Sequence, residues 1–227
     1  MTRKPFARGN PLALAVLTLL YERPMHPYQM SQTLQQRGKQ ESVRLNFGSL
    51  YSVVDSLVRQ GLIEPTGTEQ DGNRPARTVY ALTASGVTEV LGWLRQLISE
   101  PVKEFPQFMA ALSFMPLLAP DECVGLLRAR ATAVRGRIAD IDASVTEAAR
   151  FLPELFVIET KYELAMARAE LDYTTALADQ IETGAIGGGD FWRRLHELRA
   201  DYPDGRLPPA VFDSFIAEMG VPGPPTN

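Results

Sequence analysis

Thiol and imidazole side chains are scarce in this sequence. Its 227 residues include one cysteine, Cys123, and two histidines, His26 and His196, which lie in opposite halves of the chain. A single thiol excludes an intramolecular disulfide, and these residues supply neither a zinc-binding cluster nor a Cys–His pair for nucleophilic catalysis. The sequence therefore predicts no metal site, no cofactor and no enzymatic activity.

Long apolar runs are also absent. The longest, Leu12–Leu20, is far shorter than the roughly 20 residues of a membrane-spanning helix, and no small-residue cleavage site follows it. The glycine run Gly187–Gly189 lacks the following lysine of a phosphate-binding loop and is typical of a linker. We therefore expect a cytoplasmic protein without a membrane span.

The charge is unevenly distributed along the chain. The net charge is -4 overall, but residues 1–95 carry +4 and residues 96–227 carry -8. A basic N-terminal part joined to an acidic C-terminal part is typical of a nucleic-acid-binding module attached to an assembly domain.

The order of predicted elements favours a winged helix-turn-helix in the N-terminal part. Proline, glycine and capping residues separate three short helices, a hairpin with a polar tip, and a fourth helix capped by Thr83. The predicted helices span 12–22, 27–37 and about 47–60, and the strands span 62–64 and 78–82. In the second helix, we expect Tyr28 to point inward and Gln32 outward.

The third helix is the candidate DNA-reading element. Its start combines a glycine, which lets the backbone approach DNA closely, with short hydroxyl side chains and a tyrosine. Arginines at the hairpin tip could reach a phosphate or a narrow minor groove. The predicted DNA-binding residues are Gln32, Asn46, Gly48, Ser49, Tyr51, Ser52, Arg74 and Arg77. The alternatives are that Phe47 and Tyr51 only pack in the domain and that the arginines contact nothing.

The C-terminal part is predicted to be helical. An apolar segment spans 105–118, and apolar residues then recur every three or four positions from Val124 to Leu152, as in a coiled-coil seam. A second long helix is expected over 155–181. The sequence leaves open whether the seam pairs within or between chains, although DNA reading by a two-fold dimer favours pairing between chains. The residues assigned to dimerisation are Leu127, Val134, Ile138, Ile141 and Val145.

We expect a mainly helical protein with three segments. Residues 1–99 form the winged helix-turn-helix, 100–200 form a long-helix dimerisation domain, and 201–227 form a partly disordered extension. An apolar effector pocket lined by Trp93, Phe105, Phe108 and Met109 is a further hypothesis, although aromatic residues at helical spacing are more often core.

Ordered motifs in the N-terminal part resemble the winged helix-turn-helix of the PadR transcriptional regulators. These motifs are Pro24-Met25-His26-x-Tyr28, Gly48-Ser49-Leu50-Tyr51, Gly61-Leu62-Ile63 and Val79-Tyr80-Ala81-Leu82-Thr83-x-x-Gly86. The acidic helical part is similar to the C-terminal domain of the family's longer, AphA-like branch. The chain differs from the family at Pro27, where glycine is common, and at Ser52, where proline is frequent.

This resemblance implies a homodimer held by C-terminal helices, binding to a two-fold-symmetric operator, usually to repress, and release by small aromatic effectors in many relatives. We therefore expect a sequence-specific transcriptional regulator whose partners are double-stranded operator DNA, a second copy of the chain and possible small aromatic ligands. The alternative is a winged-helix adaptor that binds another protein instead of DNA.

Overall fold

The chain folds into two compact units, Met1–Glu104 and Phe105–Asn227. The computed structural model describes residues 8–39, 43, 47–69 and 77–220. The predicted fold class is confirmed, because helices and a two-stranded hairpin form the first unit and long helices form the second. None of the helices in the described ranges is long and apolar enough to cross a membrane.

The first unit has the predicted element order. It consists of α1 (Pro11–Glu22), α2 (Pro27–Gln36), α3 (Phe47–Arg59), β1 (Ile63–Glu69), β2 (Arg77–Leu82) and α4 (Ala84–Ser99). The antiparallel strands pair Ile63 with Leu82, and a bulge falls between Pro65 and Gly67. β1 is therefore longer than predicted, since the bulge lets pairing continue past the proline.

Local capping explains where the helices of the first unit begin. The Asn10 side chain accepts a hydrogen bond from the Leu12 N–H at 3.0 Å, and Pro11 follows at the first helical position. Nδ1 of His26 likewise accepts from the Gln29 N–H at 3.1 Å before α2. Thr83 caps α4 as predicted, because its hydroxyl accepts the Gly86 N–H at 3.0 Å.

Two contacts fix the corner between α1 and α2. Met25 and Tyr80 exchange backbone hydrogen bonds of 3.1 and 3.0 Å, which join the corner to β2. At the other end of α2, Arg37 forms a bidentate ion pair with Glu22 of α1 at 2.5 and 2.7 Å. Together they place α2 against both the first helix and the hairpin.

The core of the first unit lies between its helices and the hairpin. Leu17 of α1, Met30 of α2 and Leu57 of α3 are fully buried. Ile63 of β1 and Trp93 of α4 complete the same cluster. Burial of a large apolar side chain stabilises a fold by about 1.5–3 kcal/mol, so this cluster holds α3 and the hairpin in place.

The second unit contains five helices within the described residues. They are α5 (Gln107–Phe114), α6 (Pro120–Ala148), α7 (Ile158–Glu182), α8 (Gly189–Ala200) and α9 (Pro209–Glu218). The apolar segment predicted over 105–118 is a shorter helix, α5, followed by a 3-10 turn at Met115–Leu117. The change occurs where Pro116 lacks the N–H that an α-helix would use.

α6 and α7 pack against each other as an antiparallel pair within one chain. Ion pairs run along it, including Arg128 with Asp179 at 2.5 Å and Arg137 with Glu163 at 2.6 Å. Such exposed pairs contribute at most about 1 kcal/mol each, so the apolar seam between the helices supplies most of the stability. Of the residues assigned to dimerisation, Leu127, Val134 and Ile141 are buried in the chain, and Ile138 and Val145 are half-buried.

The segment after α7 packs on the start of α6. The Trp192 indole N–H donates to the Leu118 carbonyl at 2.8 Å, and Nε2 of His196 donates to the Pro116 carbonyl at 3.1 Å. The rings of Phe191 and Phe215 lie 5.1 Å apart and join α8 to α9. α9 thus lies in the stretch predicted to be an extension, whereas 221–227, predicted to be disordered, fall outside the described residues.

Candidate nucleic-acid interface

One face of α3 is buried and the opposite face is polar and exposed. Leu50, Val54 and Leu57 lie on the buried face, which anchors the helix in the core. Six residues at helical spacing lie on the exposed face. They are Gly48, Ser49, Tyr51, Ser52, Asp55 and Arg59.

Four of the predicted DNA-binding residues share this exposed face at the start of α3. Tyr51 is 51% exposed, and Gly48, Ser49 and Ser52 are exposed as well. The Ser52 hydroxyl donates to the Gly48 carbonyl at 3.1 Å, one turn back, and keeps its lone pairs. Small donors and acceptors therefore surround one rigid aromatic arm at the helix end that enters a groove in this class of fold.

The exposed face of α3 is flanked by two depressions. A cavity of about 310 Å³ lies towards α2 and β2. It is lined by the side chains of His26, Tyr28, Tyr51, Asp55, Arg77 and Tyr80. A groove of about 760 Å³ lies towards α1, where Asn10, Ser49 and Ser52 contribute to its wall. The exposed face of α3 thus has polar residues along one flank and several tyrosines along the other.

The second helix contributes two residues to this surface. Gln32 points outward as predicted, and its side-chain N–H donates to the Tyr28 hydroxyl at 2.9 Å. The prediction that Tyr28 points inward is wrong, because the ring is 39% exposed. The buried positions of α2 include Pro27, Met30, Ser31 and Leu34, and this spacing turns Tyr28 away from the core.

The wing contributes one arginine within the described residues. Arg77 begins β2, and its guanidinium carbon lies 4.9 Å from the centre of the Tyr28 ring. The other predicted wing residue, Arg74, and the predicted helix residue Asn46 lie outside the described residues.

Sequence reasoning did not single out Asp55 as part of this surface. It lies one turn after Tyr51, is exposed and lines the cavity towards β2. The signal was available, since Asp55 is four residues from Tyr51 and opposite the apolar stripe of α3. A carboxylate here would repel backbone phosphate and can accept a hydrogen bond from the exocyclic amine of cytosine.

The four residues of the predicted effector pocket belong to different units. Trp93 is buried in the core of the first unit. In the second unit Phe105 and Met109 are exposed, and Phe108 lies under the Arg130 guanidinium, 3.7 Å from its ring centre. Trp93 is therefore a core residue, which was the alternative interpretation of these aromatic side chains. The effector assignment of the other three stays a prediction.

One protein-family model matches most of the N-terminal unit. Residues 16–91 match the family model of the PadR-like transcriptional regulators. Within this range the chain is similar to the PadR-like transcriptional regulators. The match covers about a third of the sequence and includes α2, α3 and both strands of the wing.

Solved structures share the PadR-like fold beyond the matched domain. Bacillus subtilis PadR in complex with operator DNA aligns with a TM-score of 0.60 and 20% identity, over 76% of this chain and 99% of that one. The same protein in complex with p-coumaric acid gives a TM-score of 0.61 and 17% identity, over 75% and 98%. A PadR-like regulator from Bacillus cereus gives 0.52 and 15%, over 76% and 99%. At these identities the likeness shows the fold.

Three further findings bear on this chain. No curated protein is significantly similar to it in sequence. The family is one of transcriptional regulators and not of enzymes. Within the described ranges, no group of three or more His, Cys, Asp or Glu side chains is placed to hold a metal ion.

Proposed function

We propose that this PadR-like protein is a sequence-specific repressor that binds a two-fold-symmetric operator as a homodimer. The observation that carries the proposal is the exposed start of α3, where Gly48, Ser49, Tyr51 and Ser52 lie on one face. In a helix-turn-helix the N-terminal residues of the recognition helix contact base edges in the major groove.

Within this proposal the residues have distinct roles. Gly48 lets the backbone approach DNA, while the hydroxyls of Ser49, Tyr51 and Ser52 contact bases or phosphates. Gln32 of α2 contacts the backbone or a base beside them. Arg77 and Arg74 hold backbone phosphates, and Asn46 is a further DNA contact.

The homodimer is supported by apolar side chains that the described part of the chain leaves uncovered. In α7, Tyr162, Met166 and Tyr173 are more than half exposed at spacings of four and seven residues. The helical period places them opposite the buried Leu164, on what we call the outer face of α7. The seam residues Leu127, Val134 and Ile141 are already covered by packing within the chain, so our proposal moves the dimer contact to the outer face of α7. Tyr162→Asp should then lower the molar mass measured by sedimentation from dimer to monomer.

Two finer points extend the proposal. The long α6–α7 pair and the late Trp192 support an AphA-like C-terminal domain. Control by a small aromatic effector is supported by the complex of Bacillus subtilis PadR with p-coumaric acid. Phe105, Phe108 and Met109 remain the proposed effector residues, whereas Trp93 belongs to the core of the first unit. Quenching of tryptophan fluorescence by a panel of phenolic compounds tests this point.

The experiment that tests the function is a salt-dependent binding titration of the purified chain. DNA fragments from around its own gene serve as ligands, and random DNA of equal length serves as the control. We expect tight binding to one fragment, with affinity that falls steeply as salt rises because phosphate contacts release counterions. Weak and equal binding to all fragments would overturn the proposal and favour the protein-binding adaptor.

A further inference from the structure

The Tyr28 ring lies under the one wing arginine that the described residues include. Arg77, the first residue of β2, places its guanidinium carbon 4.9 Å from the ring centre of Tyr28 in α2. The two residues are far apart in sequence and lie on different elements. A guanidinium over an aromatic face at this distance makes a cation–π contact.

Three neighbours fix the orientation of the ring. The Gln32 side-chain N–H donates to the Tyr28 hydroxyl at 2.9 Å and holds its outer end. The His26 ring is nearly parallel to it, with an interplanar angle of 17° and centres 6.2 Å apart. Pro27, at the first helical position, restricts the backbone immediately before it. The ring is therefore a defined platform although it is not part of the core.

Arg77 keeps its hydrogen-bond donors available on this platform. It makes no ion pair and no side-chain hydrogen bond with the residues that the structure describes, although Asp55 lines the same cavity. The N–H groups of a guanidinium point outward from the edge of its plane. Those donors can engage a phosphate while the cation–π contact is retained.

We propose that Tyr28 is a positioning residue that holds the Arg77 guanidinium ready for one backbone phosphate of bound DNA. The inference rests on the proposed function and adds a residue to it. Tyr28 acts through Arg77, because a guanidinium held in place loses less side-chain entropy when it meets the phosphate than a free one does.

The test is a double-mutant cycle on DNA affinity, measured at several salt concentrations with the full chain. Tyr28→Leu removes the ring, Tyr28→Phe keeps the ring and removes the hydroxyl, and Arg77→Gln removes the cation. Tyr21→Leu, an exposed tyrosine on α1, is the matched control. In the free protein, the Arg77 side-chain proton shifts measured by NMR report whether the guanidinium lies over the ring.

We expect Tyr28→Leu to weaken binding about 2- to 5-fold, which corresponds to an exposed cation–π contact. Arg77→Gln should reduce the salt slope by about one phosphate, and adding Tyr28→Leu to it should cost nothing further. Tyr28→Phe should keep most of the affinity and the ring-shifted Arg77 signals, and Tyr21→Leu should change neither.

Two results would overturn the inference while the proposed function stands. Additive effects of Tyr28→Leu and Arg77→Gln would mean that the two residues act independently. Equal losses for Tyr28→Phe and Tyr28→Leu would mean that the hydroxyl, and not the face of the ring, carries the effect. If the wild-type chain shows no salt-dependent preference for any fragment, the proposed function fails and this inference fails with it.

Discussion

A β-carbon at Gly86 would lie 2.0 Å from the carbonyl oxygen of Leu62. The first turn of α4 therefore passes directly over the backbone where the hairpin begins. The same carbonyl lies 3.0 Å from the Thr83 hydroxyl that caps α4. Gly86 is not among the glycines with positive φ, so close approach is the reason for glycine here.

Gly86→Ala should destabilise the first unit by about 3 kcal/mol, because backbone has to move to admit a methyl group. Denaturant unfolding followed by Trp93 fluorescence, in a Trp192→Phe background, measures the effect on this unit alone. Gly92→Ala, in the same helix, is the control, since its β-carbon would meet only the end of the Arg8 side chain at 3.2 Å. Equal stabilities of the two variants would contradict the prediction.

Thr174→Val should stabilise the second unit by about 1 kcal/mol. The Thr174 side chain is fully buried in α7, and its hydroxyl has no hydrogen-bond partner among the described protein groups. Valine has nearly the same shape and removes the cost of burying that hydroxyl. Hydrogen exchange of α7 peptides, read by mass spectrometry, measures the change as slower exchange.

The control for this substitution is Thr132→Val in α6. Thr132 is exposed, and its hydroxyl donates to the Arg128 carbonyl at 3.0 Å. It should leave exchange in α7 unchanged. Faster exchange in Thr174→Val than in the parent chain would show that the buried hydroxyl is satisfied in solution.

Tyr51→Ala should weaken operator binding by about 1–3 kcal/mol, the usual cost of losing a base contact. The expectation depends on the position of Tyr51 on the exposed face of α3, where the side chain is half exposed. Arg74→Ala should instead reduce the salt slope by about one phosphate and affect all sequences alike. Salt-dependent titrations measure both quantities, and unchanged values for both variants would refute these roles.

Asp55→Asn should raise the affinity for random DNA and so lower the ratio of operator affinity to random-DNA affinity. The substitution removes a negative charge from the exposed face of α3, where it opposes phosphate and can select cytosine. Competition titrations of operator against random DNA measure the ratio. Asp140→Asn on α6 makes the same charge change elsewhere and should leave that ratio as it is.

Glu22→Gln should lower the free energy of unfolding of the first unit at pH 7 by at most about 1 kcal/mol, since the pair is exposed. The hydrogen bond from Arg37 lowers the pKa of Glu22 below its ordinary 4.5. A lowered folded-state pKa stabilises the fold above the unfolded-state value and loses that effect as pH falls through the folded-state value. The difference between variant and parent should therefore shrink as pH falls below 4.5 and vanish once pH is below the lowered folded-state pKa.

Unfolding of both chains at pH 7 and at acidic pH, followed by Trp93 fluorescence in the Trp192→Phe background, checks this dependence. Glu64→Gln, at an exposed glutamate of β1 with no ion pair among the described residues, is the control. A difference between Glu22→Gln and its parent that persists at low pH would rule out the ion pair as its source.

The sequence by itself determined where several helices begin and which face of α3 is buried. Asn10-Pro11 and Thr83 predict the helix starts that the structure has, because a cap acts on N–H groups two or three residues away. The apolar stripe of α3 likewise predicts the exposed positions of Ser49 and Tyr51. Such signals are local, so they can be read along the chain.

Only the tertiary structure decided which distant residues meet. Tyr28 lies under Arg77, Met25 pairs with Tyr80, and the α6 seam packs on α7 of the same chain. Periodicity indicates that a face is covered but does not specify the element that covers it, since any apolar face of suitable shape can do so. The partner is selected by the packing of the whole unit, and this selection places a tyrosine of the second helix beside the wing.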